Sequence, residues 1–105
     1  MSFERVEAIT LASGENKLYS AVIDQPNGLA YFGTRTDPGK IVKIQLSDFT
    51  RVEAITMDSG EDRLISAVID QPKGFTYFGT GKDPGRVVKI KLGGMTQLLP
   101  IMGIG

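Results

Sequence analysis

Apolar and polar residues alternate in short runs along this chain. The segments "RVEAIT" at 5–10 and 51–56, "IVKIQL" at 41–46 and "VVKIKL" at 87–92 are rich in β-branched residues and largely alternate apolar with polar. A period of two is the mark of a strand with one face turned to a core. "LYSAVID" (18–24) and "LAYFGT" (29–34) are apolar runs of strand length. No window of ten or more residues carries an apolar stripe at helical spacing. Between the runs lies turn chemistry. Asp24-Gln25-Pro26-Asn27-Gly28 combines an Asx side chain, a proline with φ already set and a glycine free to take positive φ. Asp37-Pro38-Gly39, Ser13-Gly14-Glu15-Asn16 and Ser59-Gly60-Glu61-Asp62 follow the same logic. The pattern predicts short antiparallel strands joined by tight turns.

The pattern also repeats. Aligned without a gap, 3–48 and 49–94 are identical at 30 of 46 positions. Repeats of this period are either four-stranded blades or helical pairs, and the frequent proline and glycine disfavour helices. Four short strands per repeat is the expectation.

Three elements in order, Asp70-Gln71-Pro72-Lys73-Gly74, Tyr77-Phe78-Gly79-Thr80 and Val87-Val88-Lys89-Ile90, resemble the repeats of YVTN-type and NHL-type β-propellers. In those families an inner strand ends at a D-x-x-x-G turn, and a Y-x-G-T/N strand and a V-V-K-I strand follow. The resemblance spans Phe3 to about Leu92. It implies an all-β chain of two four-stranded antiparallel propeller blades, one unit over 1–105. Residues 18–24 and 64–70 would be innermost, 29–34 and 75–80 second, and 40–46 and 86–92 third. Residues 49–57 would be the outermost strand, with 3–11 an extra outer strand ahead of the first blade. The tail 95–102 stands where a third "FTRVEAIT" belongs but reads "MTQLLPIM", with Pro100 replacing the alanine.

Two blades bury one shared face and leave two exposed, and neither copy reads as a polar cap. At roughly 25 cal/mol per Å², several hundred Å² of wet apolar surface would cost on the order of 10 kcal/mol, comparable with a small domain's whole stability. The expected partner is therefore the protein itself. Three or four chains would complete a six- or eight-bladed ring, within the usual range of about four to eight blades. The N-terminal strand of one chain could then complete the last blade of its neighbour. The competing expectation is that these two copies belong to a longer array.

Composition narrows the function. Lys plus Arg and Asp plus Glu each number 12, so no basic excess marks a nucleic-acid or anionic-membrane binder. Cysteine and histidine are both absent, which removes thiolate chemistry, the commonest general base and the commonest metal ligand. No signal peptide or membrane span is read in "MSFERVEAIT" or in the short, proline-broken "MTQLLPIMGIG". The expectation is a soluble, cytoplasmic protein without cofactor or metal.

Candidate chemistry is sparse. Asp24 and Asp70 could be paired carboxylates, but each sits at a strand end before a proline turn, where Asp serves structure. "GTGKDPGR" (79–86) lacks the ending of a phosphate loop and reads as a hairpin turn. "DSGED" (58–62) offers carboxylates for Ca²⁺, yet its counterpart "ASGEN" keeps only Glu15. Lys43, Lys89 and Lys91 fit a solvated face or cross-strand partners for Glu53 and Glu7. Tyr31-Phe32 and Tyr77-Phe78 fit packing between blades. The 16 mismatches between copies fall largely in or beside turns. On a propeller, one end of the channel would gather Glu15, Asn16, Lys17, Arg35 and Thr36 with Glu61, Asp62, Arg63 and Lys82, and these are the candidate ligand-binding residues.

The leading expectation is a non-enzymatic scaffold or binding module that recognises a small polar ligand or a protein segment at that mouth. Two alternatives stand beside it. One is a structural or engineered protein whose repetition serves assembly alone. The other is a propeller hydrolase or lyase working through carboxylates of shifted pKa.

Overall fold

The computed structural model describes residues 2–93. Seven strands form two antiparallel sheets: β1 Leu18–Asp24, β2 Leu29–Thr34, β3 Lys40–Gln45 and β4 Thr50–Thr56 in sheet 1, then β5 Leu64–Asp70, β6 Phe75–Thr80 and β7 Val87–Lys91 in sheet 2. Each sheet is a simple meander in chain order, and neither closes on itself. Among the described residues no helix is long and apolar enough to cross a membrane.

Local chemistry sets the boundaries. Each first strand runs into a one-turn 3₁₀ helix, Gln25–Asn27 or Gln71–Lys73, with proline in its first turn. Gly28 and Gly74 end these turns at φ +67° and +77°, a left-handed conformation that residues with a Cβ rarely adopt. Their N–H groups donate to the carbonyls of Gln25 and Gln71 at 3.1 Å, and the chain reverses into the second strand.

The alternation read from the sequence is realised in register. Tyr31 stands opposite Val22 and Lys43, and Lys43 opposite Glu53, whose carboxylate it approaches at 3.8 Å. One row further, Gly33 faces Ser20 and Ile41. These residues belong to one face of sheet 1, and that face packs on sheet 2. The core joins Tyr31, Ile41 and Met57 to Leu64 and Phe78 of sheet 2, with Val22, Leu29, Ala67, Val88 and Ile90 around it. Removing Phe78 or Leu64 fully from water stabilises by roughly 1.5–3 kcal/mol each. Gly33 allows the approach: a Cβ there would lie 2.9 Å from Phe78 Cε2 and 3.0 Å from Leu64 Cβ.

Four hydrogen bonds lock the joint between the sheets. Ser20 Oγ donates to the Leu64 carbonyl at 2.8 Å, Gly39 N to Glu61 O at 2.9 Å, Arg63 N to Thr36 O at 2.9 Å, and Gln71 Nε2 to Ile23 O at 3.0 Å. The chain passes from β4, outermost in sheet 1, through residues 57–63 to β5, first in sheet 2.

Two expectations are revised. Residues 3–11, expected as an extra outer strand, form no strand, and all but Ile9 and Leu11 are exposed. A strand needs an edge to pair with. The connector 11–17, held by Glu15 on Arg51, ties this segment to the side of sheet 1 away from sheet 2, where no third sheet lies among the described residues. Sheet 2 accordingly has three strands among the described residues rather than four. The expected outer strand at 95–102 lies outside the described residues.

Candidate functional site

The turns predicted to share one end do so. Arg35 N donates to Lys17 O at 2.8 Å, Arg63 N to Thr36 O, and Gly81 N to Arg63 O at 2.8 Å, which stitches the loops before β1, β3, β5 and β7 together. Glu15, Asn16, Lys17, Arg35, Thr36, Glu61, Asp62, Arg63 and Lys82 all lie in this group of loops. Lys17 and Arg63, equivalent in the two repeats, both take φ +53°. A left-handed backbone at a long-chain residue is a strained choice, held here by the bonds to Arg35 and Gly81.

The side chains fall into two sets. Asn16, Lys17, Arg35 and Arg63 are exposed, and the Arg35 guanidinium lies 5.3 Å from the centre of the Tyr19 ring. The others are committed to the fold. Glu15 is buried; its Oε1 accepts the Ala12 N–H at 3.0 Å, and Arg51 grips both carboxylate oxygens. That ion pair holds the Glu15 carboxyl below its ordinary value, despite an opposing effect of burial. Glu61 Oε1 accepts the Asp58 N–H at 3.0 Å in the same way. Thr36 Oγ1 donates to the Pro38 carbonyl at 2.8 Å. Lys82 Nζ donates to Gly60 O at 3.1 Å and pairs with Asp62 at 3.4 Å.

Asp37 joins this end from the β2–β3 turn. Asp62, as a proton-sharing neighbour first and a like charge second, pushes the Asp37 carboxyl above its ordinary value. Its Asp-Pro-Gly context marked it only as a turn residue, and nothing local in the sequence placed Asp62 beside it. Among the described residues no three His, Cys, Asp or Glu side chains converge as metal ligands.

A cleft lies at the opposite end of the sheets. It has a volume of about 660 Å³ and is lined by Asp24, Asn27, Tyr31, Lys43, Glu53 and Lys91 among others. Asp24 is buried there and accepts a hydrogen bond from Asn27 Nδ2 at 2.9 Å. The buried Tyr31 hydroxyl has no partner among the described residues, and burial, with Asp24 and Glu53 adding, pushes it up to about 12. Asn27 has Lys73 as its counterpart in the second repeat.

Comparison with known proteins finds no matching family model, no matching curated protein and no matching solved structure.

Proposed function

We propose that the protein is a non-enzymatic, self-assembling repeat scaffold. Copies stack head to tail, sheet 2 of one on sheet 1 of the next, and three or four chains close into a β-propeller. The loop end carrying Lys17, Arg35 and Arg63 then faces one mouth of the channel and takes a small polar ligand or a protein segment.

One observation carries this reading. The two sheets are near copies, yet sheet 2 leaves open the face that sheet 1 covers, while on the other face of sheet 1 Ala30, Val42 and Ile44 are buried as well. Ile41 is 2% exposed under sheet 2, while its equivalent Val87 is 76% exposed. Ser66, Val68, Tyr77, Gly79 and Val87 line an open groove on sheet 2. Their counterparts Ser20, Val22, Tyr31, Gly33 and Ile41 form the covered face of sheet 1. In the other direction, Leu64 is fully buried and its equivalent Leu18 is 47% exposed. Joining the open face of sheet 2 to sheet 1 of another copy, where Leu18 stands exposed, would repeat the contact made within the chain. A heterologous contact of this kind closes into a ring or runs into a filament, and burying both ends removes a cost on the order of several kcal/mol.

Electron microscopy of the purified protein tests the assembly: discs with a central channel are expected, and dispersed single chains would overturn it. A ligand or glycan array tests the binding role, with signal expected from the wild type and lost in Lys17→Ala and Arg35→Ala.

Asp37 favours a second reading. A carboxyl raised by a neighbouring carboxylate at an open loop end is a feature of acid–base sites, and it fits a carboxylate-dependent hydrolase or lyase. Turnover in a hydrolase screen that disappears in Asp37→Asn would support that reading over the scaffold.

A further inference from the structure

The segment 4–10 is a second copy of β4 without a sheet, and among the described residues β7 is a sheet edge without a fourth strand. We infer that 4–10 of one chain adds to β7 of the preceding chain as its outermost strand, in the register that β4 keeps on β3. The inference rests on the stacked assembly proposed above and names its covalently continuous latch.

The connectivity fixes which chain donates. β4 ends at Thr56 and seven residues, 57–63, carry the chain across to β5 of the following sheet. The same spacing, 11–17, separates Thr10 from β1. The segment 4–10 is therefore connected as the outermost strand of a sheet lying before sheet 1. Its own β7 belongs to the sheet after sheet 1, on the other side, so the acceptor is a second copy.

The repeat fixes the register and the chemistry. In sheet 1, Val42 pairs with Ala54, Lys43 with Glu53 and Ile44 with Arg51 across a bulge. Shifted by one repeat, Val88 meets Ala8, Lys89 meets Glu7 and Ile90 meets Arg5. Arg51 clamps Glu15. The shifted pair is Arg5 of the donor on Glu61 of the acceptor. Glu61 already holds the conformation of Glu15, accepting its own turn's N–H through Oε1, and it has no basic partner among the described residues. The chain's own tail is the rival occupant. It places Gln97 where Arg51 stands, Leu99 at the position of Glu53 and Pro100 at that of Ala54. It thus lacks both charges and one N–H. Addition of an extended segment to an open edge supplies main-chain hydrogen bonds, and the side chains set its register.

The chain has no cysteine, so paired single-cysteine variants give a clean test. An Ala8→Cys chain is unfolded and refolded with a Val88→Cys chain, and Glu7→Cys with Lys89→Cys in parallel. Adjacent pairs alternate between hydrogen-bonded and non-hydrogen-bonded geometry, so one of the two mixtures has a disulfide-compatible spacing. Mild oxidation should give a covalent heterodimer in at least one mixture, and none when Ala8→Cys is mixed with Val87→Cys, which points to the other face. Charge reversal gives a second readout: Glu61→Arg should lower the assembled fraction at least several-fold, and Arg5→Glu in the same chain should restore it. Intact assemblies that form no heterodimer in either mixture would overturn strand donation while leaving the stacked scaffold standing. Absence of any assembly would sink both.

Discussion

Arg51 reaches from β4 to Glu15, 36 residues earlier, with Nε 2.9 Å from Oε1 and Nη2 2.5 Å from Oε2. Two parallel bonds from a planar guanidinium make the strongest ordinary side-chain pairing, and they pin the loop before β1. Glu15→Gln should lower stability by about 1 kcal/mol or less, because solvent screens a pair whose arginine is about a third exposed. The pH dependence has a definite sign. The folded-state pKa of Glu15 lies below the ordinary 4.5, so its contribution is fully present above that value. It is lost as pH falls through the lowered one. Melting temperature followed from pH 6 to pH 3 should show the gap between wild type and Glu15→Gln shrinking towards acid.

Asp37 has the opposite sign. Its carboxyl is raised by Asp62, so ionisation disfavours the folded state. The favourable contribution of the neutral carboxyl is present at low pH and lost as pH rises through the raised value. Asp37→Asn should match wild type near pH 3 and melt higher at pH 7. Equal melting temperatures at both pH values would remove the contact from the account.

Gly33 and Gly79 are repeat equivalents with different neighbours. A Cβ on Gly33 would press on Phe78 and Leu64, whereas one on Gly79 would meet only the movable Ser66 hydroxyl. Gly33→Ala should therefore destabilise the fold by about 1–3 kcal/mol through overpacking. Gly79→Ala should leave the circular dichroism spectrum of the chain intact while reducing its association. Equal losses of fold in the two variants would contradict the assignment of Gly79 to an inter-chain face.

Tyr31 carries a buried hydroxyl whose ionisation is pushed up to about 12, chiefly by burial. The difference between the ultraviolet titrations of wild type and Tyr31→Phe should have its midpoint near that value. Since the unfolded chain releases this proton near the ordinary 10.0, stability should fall as pH rises from about 10 towards 12.

The strand positions and the cross-strand pair Lys43–Glu53 were legible because both follow from alternation within a few residues. The turn end was legible because every loop there carries its own glycine, proline or Asx signal. Three things were not. Glu15 reads as a turn residue and Arg51 as one position of an alternating strand, and only the folded loop brings them together. Asp37 and Asp62 meet across the joint between sheets, and no local pattern records that joint. Residues 3–11 differ from the sequence expectation for a related reason: their sequence is as strand-like as that of β4, but a strand is defined by the edge it pairs with, and the segment lies on the far side of sheet 1 from the open edge of β7. The direction of stacking was hidden by the near identity of the repeats, since Ile41 and Val87 differ by one methylene and are separated by position alone.

The mass of the protein in solution tests the central claim most directly. Light scattering coupled to size-exclusion chromatography should return three or four times the 11.4 kDa of one chain, independent of loading above the dissociation range. A folded, monodisperse species of 11.4 kDa would mean that Val68, Tyr77 and Val87 stay in water, and the account would fail.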